Sequence, residues 1–166
     1  TKVQHVVAEK EASHFIIGYR FSPEEIEEPG IRFEDTMFLL NTLAEYEPDY
    51  FHISANSYQR TSIVNQEDTE LLINKYLKMQ SAQLAKIPLI GVGSIAQRQD
   101  AEHALELGYD LLSVGKAYLV EPQWTDKISQ NEEVEQFVDI HDQKVLHIPS
   151  PLWKVMDFMI LDKEEE

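Results

Sequence analysis

Two short runs carry the residues best suited to chemistry. Pro88-Leu89-Ile90-Gly91-Val92-Gly93-Ser94-Ile95 and Asp110-Leu111-Leu112-Ser113-Val114-Gly115-Lys116-Ala117 are both apolar stretches closed by a glycine and a small or basic residue. Backbone N–H groups freed at a glycine turn point outward together, and such groups cradle anions, phosphate above all. Lys116 adds a cation beside the second turn. Gly93, Ser94, Gly115 and Lys116 are therefore candidate phosphate-binding residues. They can act together only if the fold brings the two turn tips side by side.

The intervening sequence supplies that arrangement. Gln97–Leu107, closed by Gly108, reads as one polar helix between two strands. A strand, a helix and a second strand form a βαβ unit, whose strands are parallel neighbours joined by a right-handed crossover. Both glycine turns then lie at the carboxyl ends of adjacent strands.

The rest of the chain continues the alternation. Lys2–Ala12 reads as an amphipathic helix and Phe15–Phe21 as a buried strand. Glu34 or Asp35 can cap a helix with Met37, Leu39, Leu40, Leu43 and Ala44 on one face. Tyr50–Ser54 is a second strand, followed by a polar loop over Ala55–Asn65. Asp68 opens a long helix carrying Leu71, Leu72, Tyr76, Met79 and Leu84. Beyond the strand Leu111–Val114, a turn or short helix begins at Glu121–Trp124. Glu132–Phe137 is a polar helix candidate, and a final helix carries Leu152, Val155, Met156 and Met159. Short apolar strands alternating with helices argue for a parallel sheet covered by helices. The mean strand-to-strand interval is close to the ~31 residues of each unit in a (β/α)8 barrel of ~250 residues. Four units make half of such a barrel. A four-stranded open sheet is the competing architecture on pattern alone.

Composition narrows the function classes. The chain has 166 residues, 43% hydrophobic and 27% charged, with a formal net charge of −16. That field argues against nucleic acid and anionic membranes as partners. The absence of cysteine excludes disulfides, thiolate metal sites and a cysteine nucleophile. No signal peptide or long apolar run stands out, so a cytoplasmic location is the expectation. The first residue is Thr1, already in a helical pattern, so the chain reads as a piece of something longer.

Four stretches, taken in order, resemble the C-terminal half of the old yellow enzyme family of FMN-dependent NAD(P)H oxidoreductases. Gly18-Tyr19-Arg20-Phe21-Ser22-Pro23-Glu24 resembles the fifth barrel strand, Asp49–Ser54 the sixth, Pro88–Ile95 the seventh, and Asp110–Ala117 with Leu119–Trp124 the eighth. The resemblance covers Phe15 to Lys127. It implies an α/β fold, a TIM (β/α)8-type barrel represented by strands five to eight. Residues 1–166 would form one domain, with a helix at 1–14 before the first strand and a C-terminal extension at 129–166. It implies that Arg20 lies against the flavin's N1/O2 edge, where a permanently charged guanidinium stabilises the reduced ring. Gly93, Ser94, Gly115 and Lys116 would hold the FMN phosphate. Lys116 stands where most of the family has arginine, which keeps the charge and loses the bidentate fork.

The family's substrate-gripping histidine pair, proton-donating tyrosine and pyrimidine-edge glutamine belong to the other half-barrel, and none of those motifs occurs here. The resemblance thus implies no catalytic residue in this chain, FMN as cofactor, NADH or NADPH as reductant and a small-molecule electron acceptor. It also implies a missing N-terminal half-barrel as partner, or self-association through open strand edges. The inner side chains then expected to need cover are Ile17, Phe51, Ile90 and Leu112. Two alternatives remain open: a phosphate-binding barrel isomerase, aldolase or synthase, and a non-catalytic half-barrel module. Among the remaining residues, His52 is expected inside the barrel rather than in catalysis, His103 toward solvent, and Trp124 in packing. The loop Asn56–Arg60 follows a strand at the ligand face and is a lesser candidate for ligand contact.

Overall fold

The computed structural model describes residues 1–137, 142–144 and 146–156. Its centre is a four-stranded parallel sheet in the order β1-β2-β3-β4, formed by Gly18–Phe21, Tyr50–Ile53, Leu89–Val92 and Leu111–Ser113. Consecutive strands pairing in sequence order is the wall of a (β/α)8 barrel, and four strands are half of it. The helices are α1 (Lys2–Glu9), α2 (Phe33–Ala44), α3 (Leu72–Met79), α4 (Arg98–Leu107), α5 (Lys116–Val120), α6 (Trp124–Ser129) and α7 (Ser150–Met156).

Among the described residues, the buried core lies between the helices and one face of the sheet. Phe21, Phe51, Ile53 and Leu89 point into that side, where Met37, Leu40 and Ala44 of α2 and Leu72, Ile73 and Tyr76 of α3 bury them. The Phe21 and Phe51 rings meet edge to face at 6.5 Å. The other face carries Arg20, His52, Ile90 and Leu111, which are paired across the sheet in one row. Among the described residues no helix of the core packs on it, and Leu111 is 53% exposed. Phe51 and Leu112 therefore do not lie on the inner face as expected. Strand side chains alternate with period two, so Phe51 sits opposite His52, and Phe51 is fully buried under the helices. Ile90 is on the open face as anticipated.

One device recurs at the amino ends of the strands. The Asp49 carboxylate, just before β2, accepts the Ile17 N–H at 2.6 Å. The Asp110 carboxylate, just before β4, accepts the Leu89 N–H at 2.8 Å. Each aspartate thus satisfies the entering backbone of the preceding strand and fixes neighbouring strands in register. At the end of α4, Gly108 adopts φ +112 and closes the helix as a left-handed cap.

Several element boundaries differ from expectation. The first strand starts at Gly18, and Phe15 and Ile16 are exposed. Apolar character alone does not make a strand where neither a paired neighbour nor a covering helix is present. The long helix from Asp68 is instead α3 and a separate 3-10 turn at Leu84–Lys86, because Gln80 turns extended. Glu132–Phe137 is irregular rather than helical. Helix α2 is entered through Arg32, whose N–H is capped by the Asp35 carboxylate at 3.0 Å. Met159 lies outside the described residues. Among those described, no helix is long and apolar enough to cross a membrane.

Candidate functional site

The turn after β3 is built so that only glycine fits its first position. Gly93 has φ +95, and a Cβ there would lie 2.4 Å from the Asn56 carbonyl carbon and 2.5 Å from the Ser57 nitrogen. The loop after β2 presses its backbone directly onto the turn, and two hydrogen bonds lock the contact. The Tyr58 N–H donates to the Gly93 carbonyl at 3.0 Å, and the Ser94 hydroxyl donates to the Asn56 carbonyl at 3.1 Å. Ser94 also lies in the left-handed region, at φ +54. Its hydroxyl proton is thus committed to Asn56, which leaves the Ser94 backbone as the part available to a ligand.

The turn after β4 is open by contrast. Gly115 has φ −119, and a Cβ built there meets nothing within 4 Å. Directly after it the chain enters α5, a short helix the sequence reading overlooked because its five residues are too few for a periodic pattern. The first N–H groups of any helix lack intrahelical partners. Lys116 is exposed at this point, and among the described residues it takes part in no salt bridge.

Both turns line one cavity of about 580 Å³ at the carboxyl ends of β3 and β4. Gly93, Ser94, Gly115 and Lys116, proposed separately from two stretches of sequence, are all in its wall. Asn56 joins them from the loop after β2, and Glu135, Gln136 and Phe137 also line it. The last three were not foreseen. Their only sequence signal was a polar run, which reads equally well as a solvated helix. Trp124 is buried, donates its indole N–H to the Ala96 carbonyl at 2.6 Å, and so packs α6 against the β3 turn, as expected of a structural residue.

Arg20 does not line this cavity. It sits on the open face of β1, level with His52, Ile90 and Leu111 in the register. That level is three residues before Gly93 on a strand two places away. Strand spacing and rise put the two Cα atoms about 14 Å apart. Burial, then the charge of the Arg20 guanidinium, hold His52 to a pKa below the ordinary histidine value. Its Nε2 is buried, without a hydrogen-bond partner among the described residues. His103 is exposed as expected, with Nδ1 3.3 Å from the Tyr58 hydroxyl.

Half a (β/α)8 barrel places its paired glycine turns at the carboxyl mouth, the end at which barrels of this fold carry phosphate sites. Comparison with known proteins makes the assignment specific. Residues 1–135 match the NADH:flavin oxidoreductase / NADH oxidase family, and the chain belongs to it. It is 59% identical over 165 residues to an NADH:acrylate oxidoreductase of Vibrio harveyi, a match spanning 99% of this chain and 16% of that protein. It is 47% identical to an NADH:fumarate oxidoreductase of Klebsiella pneumoniae, over 96% of this chain and 18% of the other. A probable NADH-dependent flavin oxidoreductase of Bacillus subtilis is 34% identical, over 93% of this chain and 41% of that one. Among solved structures, morphinone reductase superposes with a TM-score of 0.53 at 16% identity, over 81% of this chain and 34% of its own. The chain thus spans less than a fifth of the length of the first two relatives.

Proposed function

We propose that this chain supplies the phosphate grip and the ring-edge arginine of an FMN-dependent NADH oxidoreductase acting on an electron-poor alkene. The observation that carries the reading is the single cavity shared by Gly93, Ser94, Gly115 and Lys116. The residues suit FMN. The open space at Gly115 admits a phosphate oxygen against backbone, and Lys116 neutralises part of its charge. Arg20, farther back along the sheet, would hold the ring end of the same ligand. When bound, the flavin supplies the hydride chemistry, taking hydride from NADH and passing it on. The chain's own residues bind, orient and tune. The backbones at Gly93 and Gly115 fix the phosphate, and Arg20 holds positive charge where the reduced ring is negative. The two relatives above are named for acrylate and fumarate, both α,β-unsaturated carboxylates. That supports the same substrate class here. Substrate clamp and proton donor would come from the other half of the barrel, packed on the open sheet face and the edges of β1 and β4. NADH is a cytoplasmic metabolite, which supports that compartment.

A phosphate-binding aldolase would want a lysine or a free carboxylate at the end of β1, where this chain carries Arg20. The carboxylate following β1, Glu24, is instead buried and already bonded to the Ser62 hydroxyl at 3.0 Å and the Ile63 N–H at 2.9 Å. Titrating this chain with FMN and with riboflavin tests the proposal, because the two differ only in the phosphate. FMN should bind at least tenfold more tightly, and Lys116→Ala should remove most of that preference. Equal affinity for both ligands would refute the phosphate assignment.

A further inference from the structure

The loop that seats Gly93 is itself held by one buried side chain. Tyr109 lies between the glycine cap of α4 and the start of β4, and it is 4% exposed. Its hydroxyl donates to the Tyr58 carbonyl at 3.0 Å. The Tyr58 N–H in turn donates to the Gly93 carbonyl at 3.0 Å. Both backbone groups of Tyr58, a residue 5% exposed, are thus committed to the β3–α4–β4 unit. Just before it, the backbones of Asn56 and Ser57 form the wall against which Gly93 turns.

Tyr109 is firmly mounted. The next residue, Asp110, grips Leu89 twice: its N–H donates to the Leu89 carbonyl at 3.0 Å, and its carboxylate accepts the Leu89 N–H at 2.8 Å. The ring lies against Gly91, where a Cβ would come 2.6 Å from the Tyr109 Cγ. Gly91 is the glycine of the first run that lies outside the cavity lining, and it makes room for this ring. Burial pushes the Tyr109 pKa up to about 12, so the hydroxyl keeps its proton at neutral pH.

We propose that Tyr109 is a positioning residue of the phosphate site: through Tyr58 it holds the loop that sets the Gly93 turn, without touching the ligand. The inference rests on the phosphate reading above. Tyr109 is not in the cavity wall, so any effect it has on the ligand passes through that loop. Without its hydroxyl the Tyr58 carbonyl loses its partner in a buried place, and binding itself has to order the loop. Affinity then falls in proportion to the fraction of chains whose loop is already in place.

Flavin fluorescence titration of this chain with FMN and with riboflavin tests the idea in Tyr109→Phe. Tyr76→Phe is the control: this tyrosine of α3 is also 4% exposed, and its hydroxyl has no hydrogen-bond partner among the described residues. Tyr109→Phe should weaken FMN about three- to tenfold, the usual worth of one hydrogen bond, and leave riboflavin unchanged. Tyr76→Phe should leave both unchanged. If Tyr109→Phe does not fold, amide exchange in the unsubstituted chain decides: FMN, and not riboflavin, should slow exchange at the Tyr58 N–H. Unchanged FMN affinity in Tyr109→Phe, an equal loss for riboflavin, or the same loss in the control overturns the inference while leaving the phosphate site standing. So does Tyr58 exchange that both flavins slow alike or neither slows. Equal affinity of the unsubstituted chain for the two flavins removes the phosphate reading and the inference with it.

Discussion

The two site glycines make opposite demands on the chain, and substituting each by alanine separates packing from ligand binding. At Gly93 an added Cβ lies 2.4 to 2.6 Å from the Asn56 and Ser57 backbone, where ordinary carbon contacts need about 3.5 Å or more. Backbone atoms cannot swing aside as a side chain would. Here they are also held by the Tyr58 N–H and the Ser94 hydroxyl. Overpacking of this kind costs about 1–3 kcal/mol, and holding alanine at φ +95 adds about 1–2 kcal/mol. Gly93→Ala should therefore lower unfolding stability by about 2–5 kcal/mol, a large share of the ~5–15 kcal/mol of a typical domain.

Gly115→Ala should do the reverse. Its Cβ meets no atom within 4 Å, so stability should change by only about 1 kcal/mol, the usual loss from an alanine at a helix entry. The new methyl instead occupies the space assigned to a phosphate oxygen. Losing one charge-assisted backbone hydrogen bond costs about 1.5–3 kcal/mol, so FMN affinity should fall roughly tenfold or more while riboflavin affinity stays put. Urea unfolding followed by circular dichroism reads the first effect, and flavin fluorescence titration reads the second. Equal stability of the two variants would refute the packing argument. Undiminished FMN binding by Gly115→Ala would show that the phosphate lies elsewhere.

Other consequences follow from the same contacts. Lowered by burial and by Arg20, His52 takes up a proton less readily folded than unfolded; its contribution to stability is present above the ordinary histidine pKa and lost as pH falls through the folded value. Arg20→Ala should move the His52 titration, followed by NMR, back up toward the ordinary value, and an unmoved curve would contradict the pairing across β1 and β2. The Lys127 ammonium, chiefly, holds the Glu121 carboxyl below the usual glutamate range, so its contribution is present at neutral pH and lost in acid. Glu121→Gln should accordingly flatten the acid limb of a stability-against-pH curve. Glu24→Ala strands the Ser62 hydroxyl and the Ile63 N–H and should cost about 1–3 kcal/mol in the same urea assay. The open sheet face and the edge strands β1 and β4 should drive self-association of this chain. Leu111→Glu on the exposed edge should shift size-exclusion elution toward monomer, and an elution volume independent of concentration in the unsubstituted chain would argue against uncovered edges.

Which parts of this were legible in the sequence follows from how local each signal is. The β3–α4–β4 unit was readable because its punctuation is local: a glycine turn, a polar helix, a left-handed glycine cap and a second glycine turn all lie within thirty-odd residues. The meeting of Gly93 with Gly115 and Lys116 then needed only the handedness of a βαβ crossover. The assignment of inner and outer strand faces failed for Phe51 and Leu112, because a strand buried by helices on one side and by a missing layer on the other is apolar throughout. Its periodicity carries no sign, and only the register with Arg20 and His52 tells the two faces apart. Asn56 lies in the loop already singled out as a lesser candidate, and it reaches the cavity through a backbone pressed onto Gly93. Glu135, Gln136 and Phe137 escaped, because their place in the lining leaves no trace in residue type or spacing. The proposed phosphate grip thus rests on glycines that the chain places in order, whereas the rest of the cavity wall arrives from loops whose destinations only the fold reveals.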